Sequence, residues 1–148
     1  MDKKNTRIVN ALLKNARISI SDLAKEACLS APATAERLRK LEEQGVITGY
    51  KAIVDLRTMG HAVSAVIRVK PFAGKEPKVI KYIQASESIL KAYNVTGEYA
   101  FVLEVSLAST TVLDTMLEEM SQFCITDTSV ILSDVTGDDF RISSGEGQ

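Results

Sequence analysis

A chain of 148 residues, 45% hydrophobic and 25% charged with a formal charge of −1, has the composition of an ordinary folded protein and suffices for one domain or two small ones. No apolar run approaches the roughly 18 to 20 residues that would span a bilayer. The start, MDKKNTRIVNALLKN, has neither a signal-peptide core nor a cleavage site, so no membrane association and a cytoplasmic location are expected. The near-neutral total hides a division: residues 1–51 carry ten Lys/Arg against six Asp/Glu, and the remainder eight against thirteen. A basic module joined to an acidic one suggests two tasks, the first directed at nucleic acid.

The pattern KKNTRIVNALLK puts Ile8, Val9, Leu12 and Leu13 on one face and predicts a helix from Lys3 to Lys14, stopped at Asn15. Next, Ser19 and Asp22 form an S-x-x-D cap for a second helix whose inner face is Leu23, Ala24 and Ala27. Cys28-Leu29-Ser30 breaks that pattern, and Ser30 caps a third helix with Pro32 in its first turn. Leu38 and Leu41 give this helix a buried stripe, with Leu23 and Leu29 also in the core, and Gly45 closes it. Two short helices about a tight turn, the second basic, form the helix-turn-helix pattern of major-groove readers. The β-favouring runs around Gly49 suggest a small wing, or a strand leaving the module.

Residues 55–62 read as a linker. Beyond it AVSAVIRVK is a strand, KEPKVIKYIQASES a helix, ILKAYNV and YAFVLEVSLA two strands, TTVLDTMLEEMSQF a helix and DTSVILSDV a last strand. The order βαββαβ is that of a ferredoxin-like domain, here over residues 63–136, with both helices on one face of an antiparallel sheet. So apolar a set of strands predicts that the other face is covered by a second chain. Residues 137–148 read as a Gly- and Ser-rich tail. The fold class is therefore α+β, a winged helix-turn-helix domain (1–54) followed by the ferredoxin-like domain.

On the third helix, Ser30, Ala33, Thr34 and Arg37 are candidates for base edges, Arg37 because its fork can meet guanine O6 and N7 together. Arg39, Lys40 and Lys51 are candidates for phosphate contacts. Thr96-Gly97-Glu98-Tyr99 reads as a hairpin connection, and also as a place where a small polar ligand could meet backbone N–H groups and a carboxylate. Cys28 and Cys124 match no metal or redox spacing and read as small buried apolar side chains; the lone His61 reads as structural. No metal motif, cofactor loop or catalytic constellation is present in the sequence, so an enzyme is not expected.

The run RISISDLAKEACLSAPATAERLRKLEEQGVITGYKAIVD resembles the DNA-binding half of the Lrp/AsnC (feast/famine) transcription regulators. VTGEYAFVLEV stands where that family has V-x-G-[DE]-Y-D-Y-L-L-x-V in its amino-acid-sensing half. The resemblance implies a sequence-specific regulator that binds double-stranded DNA as a homodimer, often assembled into tetramers or octamers. It also implies an amino-acid effector held between sensing domains by Gly97, Glu98, Tyr99 and the position of Ala100, with Thr128 aligned less firmly. Three positions depart from the pattern. Asn5 stands for an aspartate, Cys28 for the glycine at the helix-turn-helix corner, and Ala100 for an aspartate beside the ligand loop. The last leaves room for an effector-independent, DNA-bridging protein. A sirohaem-decarboxylase-like enzyme, which resembles the family in both halves, is the more distant alternative.

Overall fold

The computed structural model describes residues 1–136; the tail expected over 137–148 lies outside the described residues. The chain forms two compact units, Met1–Ile53, with which Val135 and Thr136 group, and Val54–Asp134.

The first unit contains three helices: α1 (Lys3–Lys14), α2 (Ile20–Ala27) and α3 (Ala31–Glu43). Each begins at a polar side chain that takes up a helix N–H group otherwise left unpaired. Asp2 accepts from the Asn5 amide at 2.7 Å, Ser19 from Asp22 at 3.1 Å and Ser30 from Ala33 at 3.4 Å. The Ser19 hydroxyl also donates to the Asp22 carboxylate at 2.8 Å. Pro32 lies in the first turn of α3, where a missing N–H forfeits no helical bond.

Helices α2 and α3 end in the same way. At α3 the Val46 amide donates to the Leu41 carbonyl and the Gly45 amide to Glu42, with Gly45 left-handed at φ +69°. At α2 the Leu29 amide donates to Ala24 and the Cys28 amide to Lys25, with Cys28 left-handed at φ +52°. Both are Schellman closures, but only one has the glycine that this backbone favours. Cys28 is exposed rather than buried as expected, because a residue turning the chain out of a helix cannot also face the core.

Ile8, Val9, Leu23, Ala27 and Leu41 form the core of this unit. Leu12, Leu29 and Leu38 pack on it partly buried. Leu13, expected on the inner face of α1, is 46% exposed. It lies one position further round the helix than Leu12, beyond the arc that α2 and α3 cover. Thr6 is buried instead, its hydroxyl donating to the Asp2 carbonyl at 3.1 Å. The segment from Val46 to Val54 enters no β-ladder. It is tied to α3 by the Ile47 amide, which donates to the Leu41 carbonyl, and by the Tyr50 hydroxyl, which donates to Glu42 at 2.6 Å.

The second unit runs β1 (Val63–Pro71), α4 (Glu76–Ala85), β2 (Ile89–Asn94), β3 (Phe101–Leu107), α5 (Thr110–Met120) and β4 (Cys124–Val130). The sheet order is β2-β3-β1-β4, antiparallel throughout, as a βαββαβ chain requires. Ala65, Ile67, Val69, Leu103 and Val105 point to one face, where Val79 of α4 and Leu113, Met116 and Met120 of α5 cover them. Each Val, Ile, Leu or Met side chain so withdrawn from water stabilises by about 1.5–3 kcal/mol. The last strand begins at Cys124, three residues before the run expected to form it, because Cys124 pairs with Pro71 at the far end of β1. Cys124 is buried, which pushes its thiol up to about 11. Residues 55–60, expected as a plain linker, form a closed turn: the Met59 and His61 amides donate to the Leu56 carbonyl. His61 then approaches the Ser106 carbonyl through Nδ1 at 3.2 Å, a structural contact.

Candidate nucleic-acid interface and ligand loop

In the first unit α2 leads into α3 through Cys28-Leu29-Ser30, and the packing of α3 decides which of its side chains face outward. Thr34 and Leu41 are fully buried, and Arg37 and Leu38 lie beside them on the packed side. Thr34 is therefore not a surface contact. Its hydroxyl donates to the Ser30 carbonyl at 2.9 Å and its methyl lies in the core, which corrects the expectation that it reaches a base. Arg37 is turned toward α1. Its guanidinium meets the Asp2 carboxylate at 2.6 Å and the Asn5 side-chain oxygen at 2.9 Å. Asn5 keeps an acceptor where the resembling proteins have an aspartate, and Asp2 supplies the charge.

The other expected residues on α3 are accessible to different degrees. Ser30 and the charged Arg39 and Lys40 are exposed, and Ala33 is half-buried. Lys51 is exposed on the arm that follows α3. Arg39 lies along the helix between two carboxylates, Glu36 at 2.8 Å and Glu43, and Lys40 reaches Glu36 at 3.5 Å. The hydrogen bond from Arg39, with the charges of Arg39 and Lys40 behind it, holds the Glu36 carboxyl below the usual range. Glu36 was not singled out in the sequence, where hydroxyl, small and cationic side chains were the candidates on this helix; its position one turn before Arg39 and Lys40 was the available signal.

In the second unit Gly97, Glu98, Tyr99 and Ala100 form the connection between β2 and β3, closed by the Val95 amide donating to the Ala100 carbonyl at 2.8 Å. Gly97 has φ +111°, a conformation that a side chain would strain. Glu98 receives a hydrogen bond from the Lys70 ammonium of β1 at 3.0 Å. The Arg68 guanidinium lies 4.8 Å from the centre of the Tyr99 ring and is ion-paired with Asp127 of β4. Lys70, Arg68 and Asp127 were not singled out in the sequence because strand pairing, not spacing, brings them to the loop.

Ala100 packs against the core and offers no carboxylate. Thr128 stands opposite Ile67, whose side chain lies under the helices, whereas Arg68 and Tyr99 belong to the open face. Within one chain, then, Thr128 and the loop are on opposite faces of the sheet. Among the described residues no cluster of His, Cys, Asp or Glu could hold a metal ion, and no helix is long and apolar enough to cross a membrane.

Two family models match the chain: one described as winged helix-turn-helix DNA-binding over residues 1–48, the other as Lrp/AsnC ligand binding domain over residues 64–139. The HTH-type transcriptional regulator LrpA of Mycobacterium tuberculosis is 31% identical over 121 residues, 81% of this chain and 81% of that protein. The structure of Bacillus subtilis LrpC superposes with a TM-score of 0.86 at 27% identity, covering 91% of this chain and 96% of the other. The feast or famine regulatory protein of M. tuberculosis complexed with L-methionine superposes with a TM-score of 0.83 at 30% identity, over 96% of this chain and 99% of that one.

Proposed function

Because the chain belongs to the Lrp/AsnC family of DNA-binding transcription regulators, we propose that it is a cytoplasmic, non-enzymatic regulator whose DNA affinity is set by an amino acid. A dimer formed through the open faces of two sheets, assembling further into tetramers or octamers, presents paired copies of α3 to a pseudo-palindromic site, about 34 Å apart. Ser30, Ala33, Arg39, Lys40 and Lys51 lie at the duplex, and Arg37 positions α3 against α1.

The observation that carries the effector reading is the pairing of Glu98 with Lys70 at 3.0 Å beside the glycine loop. An amino acid is a zwitterion and brings the same two charges. Its ammonium takes the place of Lys70 at Glu98, its carboxylate that of Glu98 at Lys70, and neither protein charge is left alone. Methionine bound to a relative of the same fold fits this chemistry. Gly97, Glu98, Tyr99 and the backbone of Ala100 line the site, on the open face of the sheet through which the dimer forms. A ligand that favours one assembly changes DNA affinity by its difference in binding free energy between assemblies.

The test is thermal unfolding of the intact protein with each of the twenty amino acids, followed by DNA binding with any that raise the melting temperature. A ligand at a hundred times its Kd stabilises by about 2.7 kcal/mol. A shift with one or two amino acids and a matching change in DNA affinity supports the reading. Absence of a shift with all twenty refutes the effector and leaves a DNA-bridging regulator.

A further inference from the structure

The outward face of α3 is centred opposite Thr34 and Leu41, which at roughly 100° per residue places Pro32, Glu36, Arg39 and Glu43 along its middle. On a helix that enters the major groove, these side chains meet base edges. The most central charged pair is Glu36 with Arg39, joined by two contacts at 2.8 and 3.1 Å.

Taking α3 as the groove-reading helix proposed above, we propose that Glu36 and Arg39 together select the DNA sequence. The Glu36 carboxylate accepts from the amino group of a cytosine, and Arg39, released from it, donates to guanine O6 and N7 at a neighbouring pair. Three residues of helix advance about 4.5 Å, close to the ~3.4 Å rise between base pairs, so the two side chains reach consecutive steps. A carboxylate in the middle of a groove-facing surface is repelled by phosphates at every wrong site. It is compensated only where a base presents a donor, and cytosine N4 is the base-edge group suited to a carboxylate. Repulsion of incorrect sequences thus contributes as much to selection as attraction to the correct one. In the free protein Arg39 and Lys40 hold Glu36 neutralised on the helix surface.

The test is selection of binding sequences from a randomised duplex pool by the intact protein, by Glu36→Ala and by Glu36→Gln, with affinities then measured on the selected and base-substituted duplexes. Glu36 is exposed, so both variants retain the fold, which circular dichroism verifies. The unmodified protein should enrich a motif with one cytosine per half-site that Glu36→Ala no longer requires. Glu36→Ala should bind random DNA more tightly while its discrimination at that position falls about tenfold or more. Glu36→Gln should favour adenine there, since an amide can bond adenine N6 and N7. The same motif with the same discrimination in all three proteins overturns the inference, as does equal weakening on every sequence. Failure of the unmodified protein to enrich any motif overturns sequence-specific regulation itself.

Discussion

The Arg37 guanidinium of α3 lies 2.6 Å from the Asp2 carboxylate that also caps α1. One carboxylate therefore starts the first helix and fixes the orientation of the third. The Asn5 amide, and after it the Arg37 side chain, hold the Asp2 carboxyl below its ordinary value of 3.8. With a pKa depressed in the folded state, the contribution of Asp2 to stability is present above 3.8 and is lost as pH falls through the lower folded value. Asp2→Asn keeps an acceptor for the cap but lacks the charge. Its melting temperature should lie below that of the unmodified protein at neutral pH, and the gap should close in acid. A gap that stays constant across that range would show that the charge is immaterial.

The left-handed Cys28 leads to a second prediction. A side chain in that backbone region costs about 1–2 kcal/mol, part of which glycine returns through the greater freedom of its unfolded chain. Cys28→Gly should therefore stabilise the first unit by about 0.5–1 kcal/mol. Cys28→Ala keeps the strained backbone and loses the Arg7 contact to sulfur at 3.3 Å, so it should bring no gain. Urea unfolding midpoints of the three proteins decide it.

Leu41 is the residue on which the first unit closes. It is 1% exposed, and its carbonyl accepts from both Val46 and Ile47. Leu41→Ala should cost about 2–5 kcal/mol through the cavity left behind, most of what a unit of this size has to spare. Calorimetry should show the helical transition displaced downward or absent while the sheet transition stays in place. DNA binding should be lost with the first.

At the ligand loop, Lys70→Met and Glu98→Gln each remove one member of the pair that a zwitterion would exchange with. Loss of one charged hydrogen bond is worth about 1.5–3 kcal/mol, so each variant should bind the effector roughly tenfold or more weakly. Titration calorimetry with the amino acid found by the thermal screen measures this. Unchanged affinity in both would place the ligand elsewhere.

Much of this architecture was legible because its causes are local. Ser19, Ser30 and Gly45 announce helix ends by side-chain chemistry that acts within three or four residues, and the two alternations between strand and helix periods gave βαββαβ directly. What could not be read depends on neighbours distant in sequence. Thr34 and Arg37 were read as candidates for base edges, but which side of α3 faces water is decided by the helices packed against it, and Thr34 is buried beside Leu41. Leu13 was misplaced for the same reason, since periodicity defines an apolar arc without saying how far the neighbouring helices cover it. The start of β4 at Cys124 is fixed by Pro71, more than fifty residues away. The loop partners Lys70 and Arg68 became visible only once β1 and β3 were paired.

The position of β1 inside the sheet sets an order of events at synthesis. Its two partners, β3 and β4, both come later in the chain, and Ala65 is matched with Val105 on one side and Val130 on the other. The three helices of the first unit, with their buried core from Ile8 to Leu41, have left the ribosome long before then. Ala65, Ile67 and Val69 must meanwhile wait for Val105, Leu103 and Phe101 of β3, and then for Val130, Thr128 and Thr126 of β4, before their strand is paired on both sides. A nascent chain of this protein is thus able to hold DNA-binding helices before it can close its sheet, and the interval between the two is when chaperones are most needed.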